Sequence, residues 1–97
     1  MILEEVISQL NQLPDETYIC VRRPWSFASD VELVPFPDDL RIPESVKSDG
    51  YEYFLEVSTA KEILEGFIER KPTLRQITDF VIHYAEHDAF PQWAAEV

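Results

Sequence analysis

The apolar residues change spacing along the chain, and each change marks a new element. In residues 2–13, Ile2, Leu3, Val6, Ile7, Leu10 and Leu13 recur every three or four positions, with Glu4 and Asn11 opposite. That stripe predicts an amphipathic helix. Glu4 and Glu5 stand in its first turn, where the helix dipole favours acids, and Pro14-Asp15 ends it. Residues 17–23, rich in Tyr, Ile, Cys and Val, predict a strand that Pro24 stops, since proline cannot donate to a ladder. Residues 30–36 begin with acid/apolar alternation and predict a half-buried second strand, with Pro35 near its edge. Residues 51–57, Tyr-Glu-Tyr-Phe-Leu-Glu-Val, are the best strand. Simple alternation puts Tyr51, Tyr53, Leu55 and Val57 on one face and Glu52, Phe54 and Glu56 on the other.

Residues 37–50 hold Pro37, Asp38, Asp39, Pro43 and Gly50 with few apolar anchors, and predict a long loop. Two helices follow the third strand. Thr59 and Glu62 suggest a capping box for a helix at about 60–71, with Ala60, Ile63, Leu64, Phe67 and Ile68 as its core stripe. Gly66 inside it costs ~1 kcal/mol against alanine, which points to a close contact there. Pro72 breaks this helix. Thr73 and Gln76 suggest a second capping box for a helix at about 74–87, with Leu74, Ile77, Val81, Tyr84 and Ala85 on its apolar face. Phe90, Pro91 and Trp93 form an aromatic tail expected to fold back on the core. The order α-β-β-β-α-α predicts a two-layer α+β domain, a small antiparallel sheet packed against helices.

Composition narrows the function. The chain has 97 residues, 45% of them hydrophobic, which suits one domain over 1–97 with one modest core. Nineteen acids against eight Lys+Arg leave a net charge of -11. Such a surface repels nucleic acid and anionic membranes; it suits either a basic protein partner or simple solubility with no partner, and composition does not separate the two. The one cysteine, Cys20, lies in a strand and reads as a small core hydrophobe. A lone thiol, an acidic N-terminus unlike a signal peptide and no apolar run near ~20 residues together predict a cytoplasmic protein. Monomer or weak homodimer is the expected state, the latter through an exposed edge strand.

Candidate chemistry is sparse. His83-Tyr84-Ala85-Glu86-His87 matches H-x-x-E-H, in which two histidines one helical turn apart bind zinc and the glutamate serves as base. The third ligand that such sites need lies far downstream, and only ten residues follow His87. Asp79, one turn before His83, could join only an adventitious metal site. No phosphate loop, dinucleotide fingerprint or nucleophile elbow is present, and two glycines cannot build a phosphate cradle. No cofactor and no catalytic residue is therefore expected.

The acids are more informative. Residues 30–56 hold eight of them against Arg41 and Lys47, a net of -6. With Phe54 between Glu52 and Glu56, the third strand offers a negative face with an aromatic centre. Asp38, Asp39, Glu44, Asp49, Glu52 and Glu56 are the candidate charge-pairing residues. Phe54 or Trp25 is the candidate anchor. Trp25 and Phe27, in the loop after the first strand, otherwise read as aromatics that plug the core.

The helix ending Leu13-Pro14-Asp15, Pro24-Trp25, the strand Gly50-Tyr-Glu-Tyr-Phe-Leu55 and the ending His83-Tyr84…His87-Asp88-Ala-Phe90 resemble a group of small acidic bacterial proteins of uncharacterised function. In size and charge the chain is also similar to immunity proteins of contact-dependent growth inhibition systems. That resemblance implies a cytoplasmic inhibitor of a cognate toxin, often a basic nuclease domain, acting by occluding its active or substrate site. Two other readings stay open: a regulatory or adaptor domain for a host protein, and a small metal-dependent enzyme using His83 and His87.

Overall fold

The computed structural model describes residues 1–96. α1 (Leu3–Ser8) runs into a 3₁₀ turn at Leu10–Gln12, and the Glu5 carboxylate accepts the orphan Ile2 N–H at 3.2 Å. The predicted first helix is present, with its last turn tightened. β1 (Thr17–Arg22) and β2 (Val31–Pro35) follow, close to the predicted bounds. Residues 37–50 are not all loop, because α2 (Glu44–Ser48) forms there between Pro43 and Gly50. β3 (Tyr51–Glu56), α3 (Val57–Ile68), α4 (Leu74–His87) and a 3₁₀ turn at Gln92–Glu96 complete the order.

β1 is the central strand of an antiparallel sheet ordered β2-β1-β3. α1, α3 and α4 cover one face, where Leu3, Val6, Ile19, Val21, Phe54, Leu55, Val57, Leu64, Phe67, Phe80 and Val81 make a single buried cluster. This is the two-layer α+β domain expected from the element order. Phe67 and Phe80 stack at 4.3 Å and join α3 to α4. The tail does return: Trp93 meets Phe67 edge-on at 5.8 Å, and the Arg70 guanidinium donates to the Ala94 carbonyl.

α3 departs from expectation at three points. It begins directly after β3 with Glu56 as N-cap, so Thr59 and Glu62 fall inside it and make no capping box. Ile68 is 49% exposed rather than part of the core stripe. Gly66 sits in open space, with nothing within 4 Å of where a Cβ would be. The close contact inferred there does not exist. α4 matches its predicted bounds, and its capping box is intact: Thr73 Oγ1 accepts the Gln76 N–H, and the Gln76 side chain accepts the Thr73 N–H. On its apolar side Phe80 and Thr78 are buried, whereas Leu74 is partly exposed.

The third strand holds the main surprise. Ile19 pairs with Leu55, but the next residue, Cys20, pairs with Tyr53. Phe54 is therefore the extra residue of a β-bulge, and the alternation shifts phase across it. Phe54 and Leu55 both go into the core, at 2% and 6% exposure. Tyr51, Tyr53 and Glu56 lie opposite Arg22, Cys20 and Tyr18, on the sheet face turned away from the helices.

Candidate partner-binding site

The outer sheet face carries Tyr18, Cys20 and Arg22 of β1, Glu32 and Val34 of β2, and Tyr51, Tyr53 and Glu56 of β3. An arm made of residues 36–50 crosses it. Besides the Phe36 N–H donated to the Glu16 carbonyl at 2.9 Å where the arm leaves β2, two side-chain hydrogen bonds anchor the arm: the Tyr18 hydroxyl donates to the Leu40 carbonyl at 2.8 Å, and Arg22 Nε donates to the Asp49 carbonyl at 3.0 Å. Both are side-chain-to-backbone contacts, so they hold the arm in place and use no arm side chain. Cys20 and Val34 are buried although they stand apart from the helix-side core, on the face that the arm crosses.

Between arm and sheet runs a groove of about 800 Å³. Its floor is aromatic. The Tyr18 and Tyr53 rings meet edge-on at 6.0 Å, and Phe36 lies 4.5 Å from Tyr18. Its walls carry Asp39, Glu44 and Glu56 beside Leu40, Arg41, Ile42, Pro43 and Lys47. Tyr53 is 46% exposed. Burial first, then the nearby Glu56 carboxylate, push the Tyr53 phenol above its ordinary pKa.

The structure brings together five of the six selected acids. Asp39, Glu44 and Glu56 line the groove, while Asp38 and Asp49 stand exposed on the same arm. None of the five makes an ion pair among the described residues. Glu56 accepts from Thr59 Oγ1 at 3.2 Å, and Asp39 accepts the Arg41 N–H at 3.0 Å.

Glu52, Phe54 and Trp25 do not belong with them. Glu52 lies opposite Val21 on the helix side and is paired with Arg23 at 2.9 Å. Phe54 is a core residue and cannot anchor a partner. Trp25 packs edge-on against Phe54 at 4.9 Å and donates its indole N–H to the Val21 carbonyl, so it plugs the core. The bulge separates Glu56 from Glu52 and Phe54, which regular alternation would have kept together on one face; Trp25 is placed by its own contacts with Phe54 and the Val21 carbonyl. Tyr18 and Tyr53 form the floor that sequence reasoning missed. The signal for Tyr53 was its two-residue spacing from Tyr51, read correctly as a shared face but assigned wrongly to that of Leu55.

The histidine pair lies elsewhere, on α4. His83 and His87 rings are 4.5 Å apart, and Glu86 is oriented toward Arg23 at 4.0 Å and His87 at 3.9 Å. Among the described residues no three His, Cys, Asp or Glu side chains converge as a metal site. A second groove, of about 810 Å³, lies on the helix side between Leu10 of the first 3₁₀ turn, Leu64 and Ile68 of α3, and Leu74 and Ile77 of α4; it contains none of the selected residues. No described helix is long and apolar enough to cross a membrane. No family model, curated protein or solved structure matches this chain.

Proposed function

We propose that this is a cytoplasmic binding protein of the immunity type, which neutralises a basic toxin domain by covering its active or substrate site. One observation carries the reading. Asp39, Glu44 and Glu56 line an aromatic-floored groove, with Asp38 and Asp49 exposed on the same arm, and none of the five makes an ion pair among the described residues, on a face that α1, α3 and α4 leave uncovered. Carboxylates kept unpaired across one face steer a basic surface toward it and fix its register, while exposed tyrosine supplies desolvated contact area. A toxin that binds polyanionic substrate would present the matching positive surface.

Co-expression with a secreted toxin from a neighbouring gene is the direct test. Growth is expected; death of cells that contain both proteins overturns the reading, as does the absence of any such neighbour. The face is tested by kinetics. D39K, E44K and E56K should each slow association with the toxin domain by about three- to tenfold at low salt and flatten its salt dependence. E52K, on the opposite face, should leave the association rate unchanged. Equal rates for all four variants would move the interface away from the groove.

A further inference from the structure

Three arginines of this protein are held in the same way, between an aromatic ring and a carboxylate. Arg22 lies 4.5 Å from the Tyr51 ring centre, with Nη1 3.5 Å from Asp30. Arg23 lies 3.8 Å from the Trp25 ring, with Nε 2.9 Å from Glu52. Arg75 lies 3.4 Å from the Phe27 ring, with Nε 2.7 Å from Glu4. The chemistry is consistent: the flat, weakly hydrated guanidinium lies on the negative ring face while its edge N–H groups reach the carboxylate.

The Tyr53 ring and the Glu56 carboxylate line one groove, and among the described residues no cation is stacked on that ring or on Tyr18, or paired with that carboxylate. Arg41 and Lys47 stand on the groove wall with no ion pair among the described residues, and their charge opposes a run of basic residues. We propose that the groove receives a single arginine of the partner protein, set among neutral or acidic neighbours, with its guanidinium on the Tyr53 ring and its edge on Glu56. This rests on the reading of the outer face as the partner-binding surface. It goes beyond that reading by naming the side chain recognised.

The test uses a small probe on the intact protein. N-acetyl-arginine methylamide is titrated into the labelled protein and followed by amide chemical shifts, with the neutral isostere N-acetyl-citrulline methylamide in parallel. Saturable shifts at Tyr18, Tyr53 and Glu56 from the arginine probe alone are expected. Y53L and E56Q should each weaken the probe about tenfold, while Y53F keeps the ring and the affinity, and E52Q changes nothing. Tyr53 is nearly half-exposed, so Y53L should retain the fold; an unchanged circular dichroism spectrum checks this.

Equal response to citrulline, shifts mapping to another surface, or arginine binding that appears only in R41A would overturn the proposal. The two readings fail separately. If the probe binds as expected but the protein does not protect against the toxin, the immunity reading falls and the arginine site stands. If protection holds and survives the double variant Y53L/E56Q, the arginine site falls alone.

Discussion

The Cys20 thiol is buried on the outer sheet face, and burial, then the Glu32 carboxylate, push its pKa from its ordinary value near 9 up to about 11. A folded pKa above the unfolded one means that folding favours the neutral thiol. Its contribution to stability is therefore complete below about pH 9 and is lost as pH rises toward 11. Two outcomes are expected. The native thiol should react slowly with a disulfide reagent at pH 8 and quickly once urea unfolds the chain. Cys20→Ala should lose less stability than the parent between pH 8 and pH 10.5, measured by urea unfolding. Fast native labelling would show that the arm does not shelter this face. Burial of Cys20 was legible in the sequence from its place in an apolar run; the side of the sheet was not, because nothing in that run distinguishes the helices from the arm.

Among the elements, α3 and α4 differ in how their ends are made, and this separates what was legible from what was not. Thr73 and Gln76 satisfy each other's N–H groups by local chemistry, so the start of α4 was readable. Thr59 and Glu62 match the same pattern but lie inside α3, because Val57 is drawn into the core and the helix starts with no intervening turn. Tertiary burial overrode a local signal. α2 was illegible for the opposite reason: its five residues bury no side chain, and the arm's two side-chain anchors come from β1. One unfolding experiment compares two helix positions. Thr73→Ala should cost about 1 kcal/mol through loss of the cap. Gly66→Ala should add about 0.5–1 kcal/mol, since the site is open and helical. A loss at position 66 would reveal a neighbour that the structure does not place there.

At the scale of the whole molecule the net charge of -11 acts on folding and binding in opposite senses. Arg22, Arg23, Lys61 and Arg75 are already committed to ion pairs, which leaves only Arg41 and Lys47 beside Asp39, Glu44 and Glu56 in the groove and an excess of acids over the whole surface. Raising the salt screens their mutual repulsion and should raise the thermal midpoint by a few degrees between about 10 and 300 mM NaCl. Over the same range, association with a basic partner should slow. A midpoint that falls with salt would mean that the surface ion pairs outweigh the repulsion. The sequence located the charge correctly in residues 30–56. It did not show that β3 distributes that charge to both faces, since periodicity carries no mark of a bulge.

The bulge also sets where this chain can change length. A strand lacking Phe54 would pair residue for residue with β1 and would still turn Tyr53 and Glu56 outward, because the register on each side already differs by that one residue. The loss would fall on the core, where Trp25 packs edge-on against the Phe54 ring. An in-frame loss of this one codon thus leaves Tyr53 and Glu56 facing the groove. The same event on either side of it would exchange the tyrosine floor for core residues.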